Sequence, residues 1–474
     1  MRRRDMLKLG ACAGVAVALP FKGDFQAADA RPLPPLPFLP FQVPLTVPPV
    51  ARPVRSRPDT DTYQITMRQA DVEIIPGIRT RIWGYDGIFP GPTIKARAGK
   101  PVVVVQRNEL DVDTSVHLHG GIQSPANDGH PTDVIKPRSS KRFYYPNAAP
   151  AAPLWYHDHA HGNEARSVYM GLAGLYLVSD ELEDSLRLPS GDYDVPLVIT
   201  DRLFAPNGSL IFINNDHGLG LRRTILVNGR PQPYFQVAAR KYRFRLVNAS
   251  NDRIYELRLS NGREMVQIAS DSGLLPRPVA MSSFELSPAE RVEVVIDFSA
   301  YRPGTRLILH NSAGEDPLTQ TIMRFDVVRT APDESHIPDT LRPLPPAEKP
   351  VTERDFIMGR NPRTHEFEIN GKVFDPDRVD VRPRLGSTEI WRIHNATSDA
   401  RHNFHTHLAR FRVLDRDGNP PGPGESGFKD TVAVRPGETV RILPRFLEFT
   451  GRYVYHCHIL AHAHHMMGTM EVVP

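Results

Sequence analysis

Cysteine is almost missing from this chain: 474 residues contain two, Cys12 and Cys457. If the N-terminal segment around Cys12 is removed, the remaining protein has one thiol and can form no internal disulfide. A single cysteine is ordinarily a small buried hydrophobe, so its neighbours must decide whether it does more. Membrane-length apolar runs are missing too: the stretch from Leu9 to Leu19 is too short to cross a bilayer. The net charge is only +4, with a pI near 9.0. No basic run is interleaved with aromatics, which argues against nucleic-acid binding. There is no low-complexity tract, and the 11 methionines form no cluster before residue 465.

The segment MRRRDMLKLGACAGVAVALP has a positive end, Arg2 to Arg4, followed by a short apolar stretch, and reads as a cleavable export signal. Arg3-Arg4-Asp5-Met6-Leu7-Lys8 resembles the twin-arginine motif, which directs folded proteins to their export machinery. Ala28-Asp29-Ala30 offers a small-x-small cleavage site, giving a signal segment over 1–30 and a periplasmic or extracellular destination. A lipoprotein box at Leu9-Gly10-Ala11-Cys12 is the weaker alternative, because most of the apolar stretch follows that cysteine.

Proline, by contrast, is abundant: 46 of 474 residues, against roughly 5% on average. It disfavours helices and is tolerated in turns and at strand edges. Residues 31–59 begin with the proline-dense RPLPPLPFLPFQVPLTVPPVARP, expected to be extended and to lie against the protein body. Beyond residue 60 come short strand-like runs such as PVVVVQRN (101–108), KYRFRLVN (241–248), STEIWRIHN (387–395) and GRYVYHCH (451–458). Pro90-Gly91-Pro92, Asn228-Gly229, Asn261-Gly262 and Asp417-Gly418 are read as turns between such runs. Regularly spaced short strands predict an all-β protein of sandwiches or barrels. Three units fit, over 60–180, 190–330 and 350–474. Their joins are a polar, turn-rich segment at 181–194 and a proline-rich linker at 331–350.

Histidine is unevenly placed. Thirteen of the 19 fall in VHLHGG (116–121), WYHDHAHG (155–162), RHNFHTHL (401–408) and YHCHILAHAHHMM (455–467). Residues two apart on a strand share a face. The pairs His117/His119, His157/His159, His405/His407 and His456/His458 therefore offer eight imidazoles in convergent sets. In the last pair, Cys457 would face the other way, so one strand touches two metal sites. A mononuclear copper site for electron transfer takes two histidines, a cysteine and a weak axial ligand. His402, His462 and Met467 are available to complete one around Cys457, and adjacent Met466 is not excluded by chemistry alone. Structural zinc needs four ligands and usually more thiolate, whereas twelve candidate ligands with one thiolate point to copper.

In these residues the chain resembles the multicopper oxidases, nearest to the bacterial spore-coat laccase and bilirubin oxidase branch. The family pattern is matched in order by His117-Leu118-His119-Gly120, His157-Asp158-His159, His402-Asn403-Phe404-His405-Thr406-His407, and His456 through Met467. The resemblance also covers GYDGIFPGPTI (84–94), DVPLVITDR (194–202) and TILVNGRPQPY (224–234). It implies three cupredoxin-like Greek-key β-sandwich domains and four copper ions. A type 1 ion would be held by His402, Cys457 and His462 with Met467 axial, and a type 2 ion by His117 and His405. The type 3 pair would take His119, His157 and His458 on one side and His159, His407 and His456 on the other. Electrons from a small reducing substrate would enter near His462, cross Cys457, and reduce dioxygen to water at the three-copper cluster. Candidate donors are phenols, aromatic amines, tetrapyrroles, Cu(I) and Mn(II).

Water formation consumes protons, so an acid near the cluster is required. In the family it lies nine residues after the second histidine of the first motif, which here is Asp128; without the resemblance, Asp128-Gly129 reads as a turn. Related enzymes also tend to carry a glutamate directly after the last type 1 histidine. This chain has Ala463 there, so Asp128 carries more of the proton delivery or another acid reaches in. The competing readings are a copper-homeostasis protein acting as cuprous oxidase or copper binder, a copper-free cell-division protein of the same fold, and a two-domain nitrite reductase. The absence of a methionine-rich insertion weighs against the first, the filled ligand positions against the second, and the type 3 pairs against the third. A monomer is the default expectation. His161, His464 and His465 flank the motifs without matching them.

Overall fold

The computed structural model of the chain describes residues 38–213 and 220–474. The signal segment 1–30 with Cys12, the start of the proline-dense segment, and His217 lie outside the described residues. Six sheets pair into three two-layer bodies in chain order. In the first body, Asp61–Glu73, Val102–Asn108 and Ser140–Tyr145 form the centre of one sheet. Gly91–Arg97, Ala173–Ser179, Ala152–Asp158 and Val116–His119 form the other. Tyr63, Ile65, Val104 and Phe143 from one layer pack on Ile94, Leu154, Tyr176 and Leu118 from the other.

The second body joins a seven-stranded and a five-stranded sheet around Phe244, Leu246, Val294 and Phe325. The third joins a six-stranded and a four-stranded sheet around Phe356, Trp391, Phe404 and Ile442. Each body repeats one device, a parallel pair near its start. Asp61 aligns with Val102, Asp194 with Arg243, and Glu353 with Ile390. Parallel neighbours require a crossover instead of a hairpin, so the three bodies share this crossover as well as a two-layer architecture.

Period-two patterning explains why these runs are strands. In Lys241–Asn248, Tyr242, Phe244 and Leu246 enter the core. Between them Arg243 and Arg245 point to the other face, where they pair with Glu183, Glu293 and Asp194. Asn228 and Gly229, with φ of 50° and 73°, turn the chain so that Val227 pairs with Arg230. Two local expectations change. Pro90-Gly91-Pro92 is not a turn, because Gly91 already opens the strand Gly91–Arg97. The join at 181–194 contains a short helix, Glu181–Ser185, whose first turn is capped by the Asp180 carboxylate accepting from Glu183 N at 2.9 Å.

The described part of the proline-dense segment straps across two bodies. Leu45 N donates to Tyr234 O at 2.7 Å in the second, and Ala51 N to Thr93 O at 2.8 Å in the first. Among the described residues, no helix is long and apolar enough to cross a membrane.

Candidate metal centre

The first and third bodies each present a short histidine-bearing ladder. Val116–His119 runs antiparallel to Ala152–Asp158, with His117 opposite His157. His402–Thr406 runs antiparallel to Gly451–Cys457, with Phe404 opposite Cys457 and His405 opposite His456. The ladders meet face to face. His117 stacks on His407 at 3.7 Å between ring centres, and His119 on His405 at 3.8 Å.

Ligand-capable atoms then gather, within 4.8 Å of one another, in buried groups. One is His119, His157 and His458; a second is His159, His407 and His456; a third is His117, His119 and His405. Cys457 faces away from these, toward His402 and His462. Its Sγ lies 3.6 Å from His402 Nδ1 and 3.8 Å from His462 Nδ1, and those nitrogens are 3.2 Å apart. Such spacings suit three donors around one ion with bonds of roughly 2.0–2.3 Å. The Phe367 ring sits 3.9 Å from the His462 ring, with the Arg360 guanidinium 4.4 Å from Phe367 on another approach. Met467 is buried and opens the last strand opposite His456.

The second nitrogen of most cluster imidazoles is fixed by a hydrogen bond. Nδ1 of His117, His157, His405 and His456 donates to the carbonyls of Asp128, Asp158, Asp430 and Cys457, at 2.6, 2.9, 2.8 and 2.9 Å. His407 Nδ1 donates to Asp128 Oδ2 at 2.6 Å. His119 is reversed: its Nε2 lies 3.0 Å from Asp430 Oδ1 and 3.1 Å from Thr431 Oγ1, leaving Nδ1 to face the cluster. Such bonds set tautomer and ring orientation for metal ligation.

Whether these nitrogens fit copper can be tested on the lone pairs. With protons on Nδ1, His407 and His456 present bare Nε2 atoms, yet both face His159 Nε2, at 3.2 and 3.1 Å. One N–H on His159 could satisfy only one of them. His117 Nε2, His405 Nε2 and His119 Nδ1 are buried without a hydrogen-bond partner among the described residues. Each such atom costs about 1–3 kcal/mol, and a cation at each convergence removes that cost. Protonation does not, because burial, helped by neighbouring imidazoles, holds His117, His119, His159, His405, His407 and His458 well below the usual imidazole range. Burial also brings His157 down to about 3 and His456 to about 4. A cluster of neutral imidazoles beside one buried thiol matches the soft and borderline donors that copper prefers.

Two buried aspartates cross-brace the ladders. Asp128, from the first body, holds His117 by its carbonyl and reaches His407 of the third with its carboxylate. Asp430, from the third, holds His405 by its carbonyl and reaches His119 of the first. Both are followed or faced by a glycine that nothing larger could replace. A Cβ on Gly129, at φ +73°, would meet Val116 O at 2.2 Å. A Cβ on Gly120, at φ +79°, would meet Asp430 Oδ2 at 2.5 Å and Arg291 Nη2 at 2.7 Å. The glycine of His-x-His-Gly is thus required by the ion pair that passes over it.

All the histidines picked from the sequence, with Cys457 and Asp128, fall in this centre. His161 and His464 stack on each other at the surface, at 4.4 Å, and His465 lies 3.7 Å from Glu366. Four contributors were not picked: Asp430, Arg291, Glu164 and Phe367. None lies in a metal-ligand spacing, and His119 and Asp430 are 311 residues apart. The one available hint was Glu164, an acid soon after a His-x-His pair.

Comparison with known proteins agrees with the site. Two family models described as multicopper oxidase match residues 66–183 and 345–474. A laccase of Bacillus stratosphericus is 38% identical, over 90% of this chain and 98% of that protein. A bilirubin oxidase of Albifimbria verrucaria is 37% identical, over 90% of this chain and 80% of its own length. The crystal structure of a laccase from Pediococcus acidilactici superposes with a TM-score of 0.86 at 32% identity, covering 94% of this chain and 96% of that one. The chain belongs to the multicopper oxidase family, as copper-dependent oxidoreductases that use dioxygen as acceptor.

Proposed function

We propose that this protein is a laccase-like oxidase that takes single electrons from phenolic or similar small donors and reduces dioxygen to water with four copper ions. The observation that supports it most strongly is the tripeptide His456-Cys457-His458. Cys457 belongs to the group with His402 and His462, while its two neighbours belong to the two different three-histidine groups. The Cys457 carbonyl also accepts from His456 Nδ1 at 2.9 Å, adding a hydrogen-bonded route beside the covalent one. No one-metal binder needs that junction.

In this reading His402, Cys457, His462 and Met467 would hold the type 1 ion. His117 and His405 would hold the type 2 ion, and the groups of His119 and His159 would hold the type 3 pair. Bound copper would supply the chemistry of accepting electrons one at a time and passing four to dioxygen. The protein does the rest. Both ladders are buried, which keeps the reducing substrate away from the oxygen site. Phe367 covers the His462 ring, so donors approach the His462 edge past an aromatic wall. Asp128, buried against His407, is the group placed to hold and release protons at Oδ2. Burial raises its pKa above the usual carboxylate range, against the pull of His117 and His130, so a proton is more readily held there.

Copper loading followed by a visible spectrum and oxygen uptake tests this reading. An intense blue thiolate-to-copper band and four donor electrons consumed per dioxygen are expected. A colourless copper-loaded protein would end the type 1 assignment, and hydrogen peroxide as sole product would end the cluster assignment. A panel of phenols, bilirubin, Cu(I) and Mn(II) ranks the donors. We further infer export of a monomer by the twin-arginine machinery, with domain boundaries in the joins at 181–189 and 331–349. Cell fractionation after Arg3 and Arg4 are changed to lysine, and the size of the purified protein in solution, check these points.

A further inference from the structure

Six of the eight cluster imidazoles have a hydrogen-bond partner for the nitrogen that faces away from the metal groups. Among the described residues, His159 Nδ1 and His458 Nδ1 have none. Beside His159 lies an acid that the sequence motifs do not predict. Glu164, only 6% exposed, places Oε2 3.6 Å from His159 Nδ1, and its Oε1 has no partner either. The Nδ1 donor, buried without a hydrogen-bond partner among the described residues, and the Oε2 acceptor stand 3.6 Å apart and need less than about 1 Å of side-chain adjustment to bond.

The surroundings explain why the acid comes from this place. Glu164 opens the helix Glu164–Met170, and that helix packs on the short helix Leu460–Ala463 through Ala165, Val168, Leu460 and Ala463. Asn251 of the second body ties both together, donating from Nδ2 to Ala165 O at 2.8 Å and accepting from Leu460 N at 2.9 Å. The seam is apolar and made partly of alanines. Ala463 therefore contributes a small packing surface to it, and the carboxyl at this end of the cluster comes from the opposing helix.

Resting on the multicopper reading above, we infer that Glu164 is the positioning residue for His159: it accepts the His159 Nδ1 hydrogen and so holds Nε2 toward His407 and His456. This answers the alanine at position 463, where the sequence led us to expect an acid. The role needs only an acceptor oxygen, which the side chain offers whether or not it carries a proton. His407 and His456 have their second nitrogens fixed by Asp128 and a carbonyl, and Glu164 completes the set of three.

The test compares the parent protein, Glu164→Gln and Glu164→Leu, each copper-loaded and then titrated with a chelator. Copper retained per chain is followed together with the electron paramagnetic resonance signal. Gln keeps an acceptor oxygen and should match the parent. Leu should release a cluster copper at about 10–100-fold lower chelator concentration, the usual cost of losing an outer partner of a metal ligand. It should also show a new paramagnetic copper signal as the coupled pair is broken, while the blue band stays. Melting of the copper-free proteins identifies a folding defect, and Glu164→Met then carries the same comparison. Leu or Met indistinguishable from the parent overturns the inference, as does Gln as weak as Leu. A parent that holds only the blue copper overturns the reading of the cluster itself, which is a separate result.

Discussion

Asp128 and Asp430 do the same job on opposite sides of the cluster, yet they are held in opposite ways. Each gives its carbonyl to a histidine of its own body and its carboxylate to a histidine of the other. Asp430 is also clamped by Arg291, whose Nη1 donates to Oδ1 at 2.7 Å and whose Nη2 reaches Oδ2. Arg291 comes from the second body and is anchored there on the carbonyls of Ala289 and Asp271, both at 2.9 Å. Among the described residues, Asp128 has no cation of this kind. Apart from the histidines, its carboxylate receives one hydrogen bond, from Gln123 Nε2 at 3.2 Å.

The difference separates structure from chemistry. Burial works to lower the Arg291 pKa, but Asp430 and Asp271 outweigh it and hold it above its ordinary value. A guanidinium so placed stays charged and pulls Asp430 toward the anion, against the burial that raises this carboxylate's pKa as it does that of Asp128. A carboxylate held by neutral donors can exchange a proton without leaving a buried cation behind. The Asp430 side is therefore a clamp between bodies, and the Asp128 side is the one suited to proton traffic.

The largest effect should come from breaking the clamp. Arg291→Met leaves Asp430 as a buried charge without its cation, and removing one partner of such a pair costs about 3–5 kcal/mol. Unfolding of the copper-free protein in denaturant should show that loss. Asp128→Asn should cost far less by the same measurement. Equal losses would remove the distinction between the two sides.

That distinction could not be read in the sequence, although the residues that gather in the centre could. Imidazoles two apart on strands, and a cysteine between two of them, are local patterns whose chemistry is fixed by strand geometry. Sheet class was legible for the same reason: Lys241–Asn248 alternates core and non-core residues and folds as it reads. Asp128 was legible only through its offset from His119. Asp430 and Arg291 meet across 139 residues, and Glu164 finds His159 only because a helix begins there. Such partners are chosen by the packing of one body on another, for which a single chain carries no periodic signal. Turn chemistry misled at Pro90-Gly91-Pro92, where sheet pairing on Ala173–Ser179 prevails over a turn-like dipeptide.

The next effect in size should be kinetic. Asp128→Asn keeps a hydrogen-bonding side chain of the same shape but cannot deliver a proton. Steady-state oxygen reduction should fall about 10–100-fold, while stopped-flow reduction of the blue copper by substrate keeps its parent rate. Unchanged turnover would take Asp128 out of the reaction. A slowed blue-copper step would mean the substitution acts through the fold.

The smallest effect is the sharpest test of the comparison, because it removes one neutral hydrogen-bonding side chain on each side. Gln123→Leu deletes the donor to Asp128 Oδ1. Thr431→Val deletes the hydroxyl that donates to Asp430 Oδ1 at 3.0 Å and also lies beside His119 Nε2 and His405 Nδ1, both of which keep an Asp430 oxygen as acceptor. Each bond contributes a net of about 0.5–1.5 kcal/mol. On the Asp430 side, Arg291 still fixes the carboxylate, so the loss has little to act on. On the Asp128 side, no cation compensates, and the orientation of the carboxylate toward His407 depends on what remains. Gln123→Leu should therefore slow oxygen reduction by up to about tenfold, the kinetic equivalent of that bond, and Thr431→Val by clearly less. If Thr431→Val proves the more damaging, the arginine does not relieve its side of the cluster, and the division between clamp and proton carrier fails.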